Sequence, residues 1–502
     1  SEASLYRNGL ISSSTSEVTE TKNESHFVRL QLKSDTGQSK EVGAKVRVLL
    51  PSGELKYQEN LSVRGYMSSV DPILSFGLGN NTSFRVEVVW TDGKIQQLHD
   101  LAPDTLHTIK YVSQEEQHLV AQPIERQVFQ LLNADSLGLA YKHEEYAFDE
   151  FNRAFSLHQQ YNQLSPGMAI ADVDNNGLDD IFIGADSKQL RTIYLQKTPG
   201  KFEALPQGEN NMEDMGALLF DADGDGDNDL YVVSGGSVNL KEDDYIYNDR
   251  LYLNDGKGNM SRSQNLIPKT SFSGSVVVAS DYDRDGDLDI FRGSRVAVGE
   301  FPKSPDSYLL RNDDGVFNDV ANTVDGLQNV GMVSAALWTD YNLDGWYDLV
   351  VVGEFMPITF FQNHEGTLKW DEQATIPNSS GWWNSITAGD FDQDGDMDYI
   401  AGNLGLNSQY KAYPDRPLKV YGSDFDHNGT NDPIVSYSKN GEDVPVAVRD
   451  VMQEQLSLTH KRFGTYDAYS KASINDIFSE KELESAIVLS ATEMRSCYIE
   501  NK

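Results

Sequence analysis

The stretch Asp221-Ala-Asp-Gly-Asp-Gly-Asp-Asn-Asp229 decides the fold, because it combines a metal-binding pattern with apolar strands on both sides. Its carboxylates at positions 1, 3 and 5 project to one side of a tightly curled backbone. Gly226 at position 6 permits the sharp turn, and Asp229 at position 9 closes the ring of carboxylates. Calcium takes about six to eight oxygen ligands, so this loop has the donor atoms of a calcium site.

The same pattern recurs six times, beginning at residues 172, 221, 281, 340, 390 and 424. Short apolar strands flank it, such as Ala169–Ala171 before the first loop and Ile181–Ile183 after it. Self-similarity at roughly 50 residues is typical of propeller blades. The sequence therefore predicts a mainly β fold: a small N-terminal antiparallel β domain, then a calcium-loop β-propeller of about six or seven blades, with a helical insertion near the C-terminus.

The predicted ligands occupy positions 1, 3, 5, 7 and 9 of each loop, position 7 through its backbone carbonyl. An EF-hand is excluded because an apolar strand follows each loop, where an EF-hand has a glutamate at position 12 and a helix. We expect about five or six Ca²⁺ ions, bound more weakly where asparagine replaces aspartate. The predicted ligands are Asp172, Asp174, Asn176, Leu178 and Asp180; Asp221, Asp223, Asp225, Asp227 and Asp229; Asp281, Asp283, Asp285, Asp287 and Asp289; Asp340, Asn342, Asp344, Trp346 and Asp348; Asp390, Asp392, Asp394, Asp396 and Asp398; and Asp424, Asp426, Asn428, Thr430 and Asp432.

Charge excludes several classes of partner. The chain has 78 acidic and 41 basic residues, a formal net charge of -37. This charge argues against nucleic acid, which requires a basic face, and against anionic lipid. No apolar run approaches the roughly 20 residues of a membrane helix, so we expect no direct membrane insertion. Cys497 is the single cysteine, so an internal disulfide is impossible.

Residues 24–112 alternate apolar and polar side chains, as in His26–Lys33, which predicts antiparallel strands with one polar face. Residues 113–165 read as a linker with short helices, where His143 and His158 are expected to be structural or solvated. Several motifs of the first region resemble the ASPIC/UnbV domain, a small β domain that accompanies calcium-loop propellers. These motifs are Gly43–Val48, Val63–Ser69, Asp71-Pro72, Phe76–Gly79 and Val89–Lys94.

The acidic repeats of residues 166–502 resemble the FG-GAP/VCBS repeats of integrin α-subunit propellers. The resemblance implies the same metal ligands, position by position. A second recurring stretch, such as Leu251-Tyr-Leu-Asn-Asp-Gly256, is interpreted as a plain strand and hairpin turn. The helical insertion is expected at about 450–484, and Pro433 is expected to mark an edge strand or an irregular strand start.

Two features suggest a fragment of a longer chain. Residues 1–23 look like the remnant of a preceding repeat, and Met494–Lys502 looks like a strand and turn of a truncated last blade. The stretch Gly402–Asn407 also resembles large cell-envelope proteins of Bacteroidota. We therefore expect an extracellular or cell-envelope location, on the outer-membrane surface or secreted, with any signal or anchor outside this fragment.

The sequence is compatible with three classes of function. The leading hypothesis is a non-enzymatic binding or scaffold protein whose partner is a glycan or a protein, including an envelope transport complex. The alternative is a propeller-based carbohydrate-active lyase or hydrolase, although no Gly-x-Ser-x-Gly, His-Glu-x-x-His or phosphate loop occurs. The third is a structural spacer without a ligand. Trp346, Trp382 and Trp383 are candidates for stacking sugars, but core packing is the favoured interpretation.

Overall fold

The computed structural model describes residues 25–34, 41–61, 73–111, 131–164, 166–186, 188–208, 212–237 and 245–502. It divides into two compact units, Ser1–Leu131 and Leu132–Lys502. The fold is mainly β, as the sequence predicts. The predicted remnant at 1–23, the motifs at 63–69 and 71–72, and residues 113–130 of the predicted linker lie outside the described residues. No helix of the described residues is both long and apolar enough to span a membrane.

The first unit consists of two sheets around one core. The predicted alternation is confirmed: Val28, Leu30 and Leu32 point into the core, together with Val46 and Val48 of the second sheet. One sheet has the order β4-β1-β7 and the other β3-β2-β5-β6. β7 runs parallel to β1, whereas the other pairings are antiparallel. The strands are β1 (His26–Lys33), β2 (Lys45–Leu49), β3 (Leu55–Glu59), β4 (Ile73–Gly79), β5 (Arg85–Val89), β6 (Ile95–Leu98) and β7 (Leu106–Lys110).

The second unit begins with a segment that packs on its sheets. This segment contains α1 (Ala134–Leu137) and two 3₁₀ turns, Glu150–Asn152 and Tyr161–Gln163. The Tyr161 hydroxyl donates to a carboxylate oxygen of Glu354 over 2.6 Å. The second half of the predicted linker is therefore part of the second unit.

Three separate antiparallel four-stranded sheets follow, each a simple meander. A fourth set of four strands has the same meander order, and its second strand also pairs with the fifth sheet, so that these two sheets form one seven-stranded network. An acidic loop joins the first and second strands of each sheet, and the first strands of successive sheets are in contact. The strands of the four sheets are, in order, β8 (Met168–Ala171), β9 (Asp180–Ile183), β10 (Arg191–Thr198) and β11 (Lys201–Gln207); β12 (Glu213–Phe220), β13 (Asp229–Gly235), β14 (Arg250–Leu253) and β15 (Ser261–Arg262); β16 (Ser273–Ser280), β17 (Asp289–Val296), β18 (Tyr308–Asp313) and β19 (Val316–Asp319); and β20 (Met332–Thr339), β21 (Asp348–Met356), β22 (Thr359–His364) and β23 (Thr367–Trp370). Further 3₁₀ turns lie at Tyr245–Tyr247 and Ala321–Thr323.

The fifth sheet is interrupted by an insertion. It starts with β24 (Gly381–Gly389) and β25 (Asp398–Asn403), and β24 also pairs with the end of β21. An inserted sheet of order β28-β27-β26-β29 follows, and then the chain returns to pair β30 with β25. The elements of this region are β26 (Leu418–Ser423), β27 (Asp432–Lys439), β28 (Glu442–Pro445), α2 (Arg449–Gln455), α3 (Ser457–Arg462), α4 (Tyr466–Tyr469), α5 (Ile474–Ile477), α6 (Glu480–Glu484), β29 (Ile487–Ala491) and β30 (Cys497–Ile499).

Two expectations for this region change. The sixth acidic loop, expected to open a blade of its own, joins β26 and β27 of the inserted sheet. Pro433 lies in β27, which is an interior strand, but β28 pairs with β27 only from Ser436 onward. Pro433 therefore has no ladder partner on the β28 side, which is where a residue without an N–H is tolerated. The helical insertion predicted at about 450–484 is confirmed, and it consists of five short helices between Arg449 and Glu484.

Apolar side chains fill the spaces between successive sheets. Val350 and Val352 of the fourth sheet pack with Trp383 and Tyr399 of the fifth. Trp383 has 0% exposure and Trp382 2%, so neither indole is available to stack on a sugar. The favoured interpretation of these two tryptophans as core residues is confirmed.

We expect Trp383→Ala to lower the free energy of unfolding by about 3–5 kcal/mol, because it leaves a large cavity between two sheets. Chemical denaturation monitored by circular dichroism measures this loss. Trp370→Ala is the matched control, since Trp370 is 45% exposed on β23, and it should lose well under half as much. Equal losses for the two variants would contradict the assignment of Trp383 to the core.

Candidate metal centres

In five of the six acidic loops, backbone N–H groups of the loop donate to its own first aspartate; in the third loop, the N–H of Asp285 donates to Asp283 at position 3 instead. In the fourth loop, the N–H groups of Asp344 and Gly345 donate to Asp340 over 3.1 and 2.8 Å. The glycine at position 6 has a positive φ in every loop, 89° at Gly345. Position 4 is also left-handed in every loop, even where the residue is Leu343. The loops are thus held in one conformation by their backbones.

These loops bring carboxylates together in five of the six cases. Within each trio the ligand atoms lie within 4.8 Å of one another, a spacing that allows one cation to contact all three. The fourth loop carries Asn342 at the third position, so an amide oxygen takes the place of one carboxylate. The trios are Asp172, Asp174 and Asp180; Asp221, Asp223 and Asp225; Asp281, Asp283 and Asp285; Asp390, Asp392 and Asp394; and Asp424, Asp426 and Asp432.

Most of the predicted ligands at positions 7 and 9 lie outside the carboxylate trios. The N–H of position 7 donates to the side chain of position 5, for example from Leu178 to Asn176 over 2.9 Å. The predicted position-7 residues Asp227, Asp287 and Asp396 stand outside the trios, as do the position-9 residues of the second, third and fifth loops. Trp346, also at position 7, lies beneath the guanidinium of Arg284, 4.1 Å from the ring centre.

The position-9 aspartates are buried at the start of each second strand, with exposures of 0–1%. One oxygen of Asp229 accepts the N–H of Ala222, at position 2 of the same loop, over 2.9 Å. The other accepts the N–H of Asn254, in the residue after β14, over 2.8 Å. The same pair of backbone hydrogen bonds occurs in all five meander sheets. This carboxylate therefore ties the loop to the third strand of its sheet.

Burial raises the pKa of five of these six carboxylates. The exception is Asp398, where the desolvation is outweighed by hydrogen bonds, among them one from the Tyr498 hydroxyl, so that the pKa is lowered. The pKa of Asp229 rises to about 6, and those of Asp289 and Asp348 rise to about 7, mainly because the charged form is desolvated. Neighbouring loop aspartates add like-charge repulsion in each case. In the absence of a cation, ionisation of these groups is therefore opposed, and a bound cation would reverse that effect.

The second recurring stretch forms the predicted strand and hairpin turn, and its asparagine adds a contact between sheets that the sequence analysis did not predict. The side-chain amide of Asn312 donates to the carbonyl of Ala222 over 3.0 Å. Ala222 is position 2 of the loop in the preceding sheet. Equivalent bonds run from Asn254 to Val173, from Asn363 to Tyr282 and from Asn501 to Tyr341, at 2.7–2.8 Å. Each asparagine thus joins its own sheet to the acidic loop of the sheet before it.

The glycines after these asparagines make the close approach possible. Gly315 has a φ of 83°, and a Cβ on it would lie 3.1 Å from the Cβ of Asp223 in the preceding loop. Gly366 stands in the same relation to Asp283. A side chain at either position would press on a predicted metal ligand. Asparagine followed three residues later by glycine, as in Asn312–Gly315 and Asn363–Gly366, is the sequence signal from which this contact could have been predicted.

Ion pairs join the sheets at the end opposite to the acidic loops. Arg191 of the first sheet lies 3.4 Å from Asp214 of the second. Arg292 of the third sheet lies 2.8 Å from Asp249, which precedes β14. Arg295 lies 2.6 Å from Glu354 of the fourth sheet. These side chains are almost fully buried, so loss of one partner would leave an uncompensated charge.

The two histidines that the sequence analysis expects to be structural or solvated both contact neighbouring side chains. His143 bonds to the Tyr141 hydroxyl and to Glu145, both over 2.8 Å. His158 is buried against Trp382, with ring centres 4.3 Å apart. Neither histidine belongs to a carboxylate trio of the described residues.

Three comparisons place these features among known proteins. The ASPIC and UnbV family model matches residues 34–116. The FG-GAP-like repeat model matches residues 172–232, 221–291 and 340–401. A search of curated proteins gives no match.

Two solved structures align at low similarity. A lectin from Agrocybe aegerita, described as recognising non-reducing terminal N-acetylglucosamine, is 16% identical with a TM-score of 0.30, over 64% of this chain and 70% of that one. The V. cholerae biofilm matrix protein Bap1 is 14% identical with a TM-score of 0.27, over 58% of this chain and 40% of that one.

We expect Asn312→Ala to lower the free energy of unfolding by about 1–3 kcal/mol, because it leaves the buried Ala222 carbonyl without a donor. Asn318→Ala is the control: it removes the same side chain from an exposed site of the same hairpin and should change stability by about 0.5 kcal/mol or less. Denaturant titration of both variants gives the comparison. A neutral Asn312→Ala would show that the bond between sheets contributes nothing.

Proposed function

We propose that this chain, which carries an ASPIC and UnbV domain and FG-GAP-like repeats, is a calcium-stabilised binding or scaffold protein without enzymatic activity. Its site of action in this proposal is the cell surface or the extracellular space. The observation that carries the proposal is the set of five carboxylate trios, each within 4.8 Å, on loops of one backbone conformation. In this account the meander sheets are blades of a propeller.

The chemistry of the loops favours calcium. All donors at positions 1, 3 and 5 are carboxylate or amide oxygens, which suit a hard cation. Neither sulfur nor imidazole takes part in the trios, so the donor set differs from that of zinc sites. Each calcium ion would also neutralise two charges of a chain whose net charge is -37. Sites of extracellular modules are typically weak, with dissociation constants of about 10⁻⁴–10⁻³ M.

The position of the loops favours a structural role for the metal. Asp229 and its equivalents bind backbone groups on both sides, and the following sheet closes over the loop through Asn312 or its equivalent. A cation held here would strengthen contacts within a sheet and between neighbouring sheets. The partner, a glycan or another protein, would then bind elsewhere on the unit.

The proposal predicts that calcium raises the melting temperature and that a chelator lowers it. A ligand that binds only the native state adds about 2.7 kcal/mol per site at a hundredfold excess over its dissociation constant. Asp285→Asn should remove about one ion from the stoichiometry measured by calorimetry, because it weakens one trio. Asp415→Asn, whose side chain is 76% exposed outside the loops, should leave the stoichiometry unchanged. A melting temperature that is indifferent to calcium would contradict the proposal.

A variant that adds a carboxylate to one loop tests the same sites by strengthening calcium binding. Asn342→Asp gives the fourth loop a third carboxylate, so we expect tighter calcium binding and a larger calcium-dependent melting shift. In chelator the same variant should be less stable than the parent, because like charges then face one another. Asn440→Asp, in an exposed turn, is the matched control. If Asn342→Asp is equally stable with and without calcium, the fourth loop does not bind calcium.

A further inference from the structure

A cleft of about 540 Å³ opens between the first and second sheets. It lies at the end opposite to the acidic loops. Gln196, near the end of β10, contacts Asp180 at the loop end of the first sheet, so Arg191 at the start of β10 lies at the other end. The cleft is bounded by Arg191, Met212 and Tyr245 and by residues 248–252, 262–265 and 267–269.

The walls of this cleft are basic, although the chain is strongly acidic. Arg191, Arg250, Arg262 and Lys269 all line it. Asp214 is shared by two of these side chains, at 3.4 Å from Arg191 and 2.8 Å from Arg250. Within the part of the chain that the structure describes, no ion pair involves Arg262 or Lys269, and both residues are exposed.

The second carboxylate at the cleft is already compensated. Asp249 lies 2.8 Å from the Nε of Arg292, and both side chains are fully buried. It therefore offers little negative charge to the cleft. The described lining has a surplus of positive charge, which favours an anionic group in the cleft.

Two residues of the lining, Asn248 and Ser263, each have a polar side-chain atom with unused hydrogen-bonding capacity. Asn248 Oδ1 and Ser263 Oγ are buried and have no hydrogen-bond partner among the described residues. Buried polar atoms of native proteins are nearly always satisfied. An amide oxygen requires a donor, and a hydroxyl can supply one; the Ser263 hydroxyl can both donate and accept. These two atoms therefore fit a ligand that carries hydroxyl groups.

Aromatic faces complete the lining. Tyr252 is held in place by Arg191, whose guanidinium lies 5.3 Å from the ring centre and donates to the hydroxyl. Tyr245 is 61% exposed. A rigid phenol beside an exposed one provides apolar area at little cost in conformational entropy.

We propose that this cleft binds an acidic sugar residue of a polysaccharide, one that carries a carboxylate or a sulfate. The basic side chains bind the anionic group, Asn248 and Ser263 bind hydroxyl groups, and the tyrosines contact the ring. The volume lies within the range of about 300–1,000 Å³ usual for small-ligand sites. The inference rests on the proposed function as a binding protein and names the chemistry of its ligand.

Titration calorimetry of the full chain in calcium tests this assignment with three probes: an oligogalacturonate, a heparin-derived sulfated oligosaccharide and a neutral chito-oligosaccharide. We expect at least one acidic probe to bind and the neutral probe to bind at least tenfold more weakly. The double variant Arg262→Ala/Lys269→Ala should weaken acidic binding by tenfold or more. Lys369→Ala/Lys439→Ala removes the same charge from exposed sites elsewhere and should bind like the parent.

Other results would overturn the assignment. Equal affinities for the neutral and acidic probes would show that the protein does not recognise the charge of the sugar. Unchanged binding by the Arg262→Ala/Lys269→Ala variant would show that the sugar binds outside this cleft. A polyglutamate peptide that binds as tightly as the sugars would assign the cleft to protein partners. The calcium-dependent melting shift, measured on every variant, is independent of these outcomes: it reports folding, and its loss in the parent would contradict the proposed function instead.

Discussion

The buried carboxylate at position 9 of each acidic loop is the constraint on which the second unit depends. Asp229 and its equivalents in the other four meander sheets are almost completely buried, and their oxygens accept hydrogen bonds from backbone N–H groups of the loop and of the residue at the end of the third strand of the sheet. A carboxylate in such a place is stable only if hydrogen bonds or a cation compensate its desolvation. The same group therefore ties the loop to the third strand of its sheet, and its negative charge would stabilise a cation bound in the loop.

Neighbouring sheets are joined at both of their ends. At the loop end, an asparagine amide reaches the position-2 carbonyl of the preceding loop, as from Asn363 to Tyr282. At the other end, buried ion pairs such as Arg292 with Asp249 cross between sheets. The apolar layers between the sheets lie between these polar contacts. This arrangement separates the acidic end of the unit, where the proposed metal sites lie, from the opposite end, which carries the basic cleft.

Local patterns were predictable from the sequence, whereas distant contacts were not. Alternation identified strands such as His26–Lys33, and the spacing of aspartates and glycines identified all six loops. The bond from Asn501 to Tyr341 joins residues that are far apart in the chain, and no periodicity encodes such a contact. The sixth loop was wrongly assigned to a blade of its own because its sequence matches that of the other loops. Its place in an inserted sheet becomes evident only from the pairing of β30 with β25, which closes the fifth sheet after the insertion. The basic cleft was missed because Arg191, Arg250 and Lys269 come from separate segments.

Native-state hydrogen exchange at two amides shows whether one buried carboxylate couples the loop, the third strand and a bound cation. The N–H groups of Ala222 and Asn254 both donate to Asp229, one from the loop and one from the segment after β14. The account predicts that calcium slows exchange at both amides together, because one carboxylate holds both and the cation stabilises it. Exchange that is unchanged by calcium at both amides, or slowed at Ala222 alone, would contradict it.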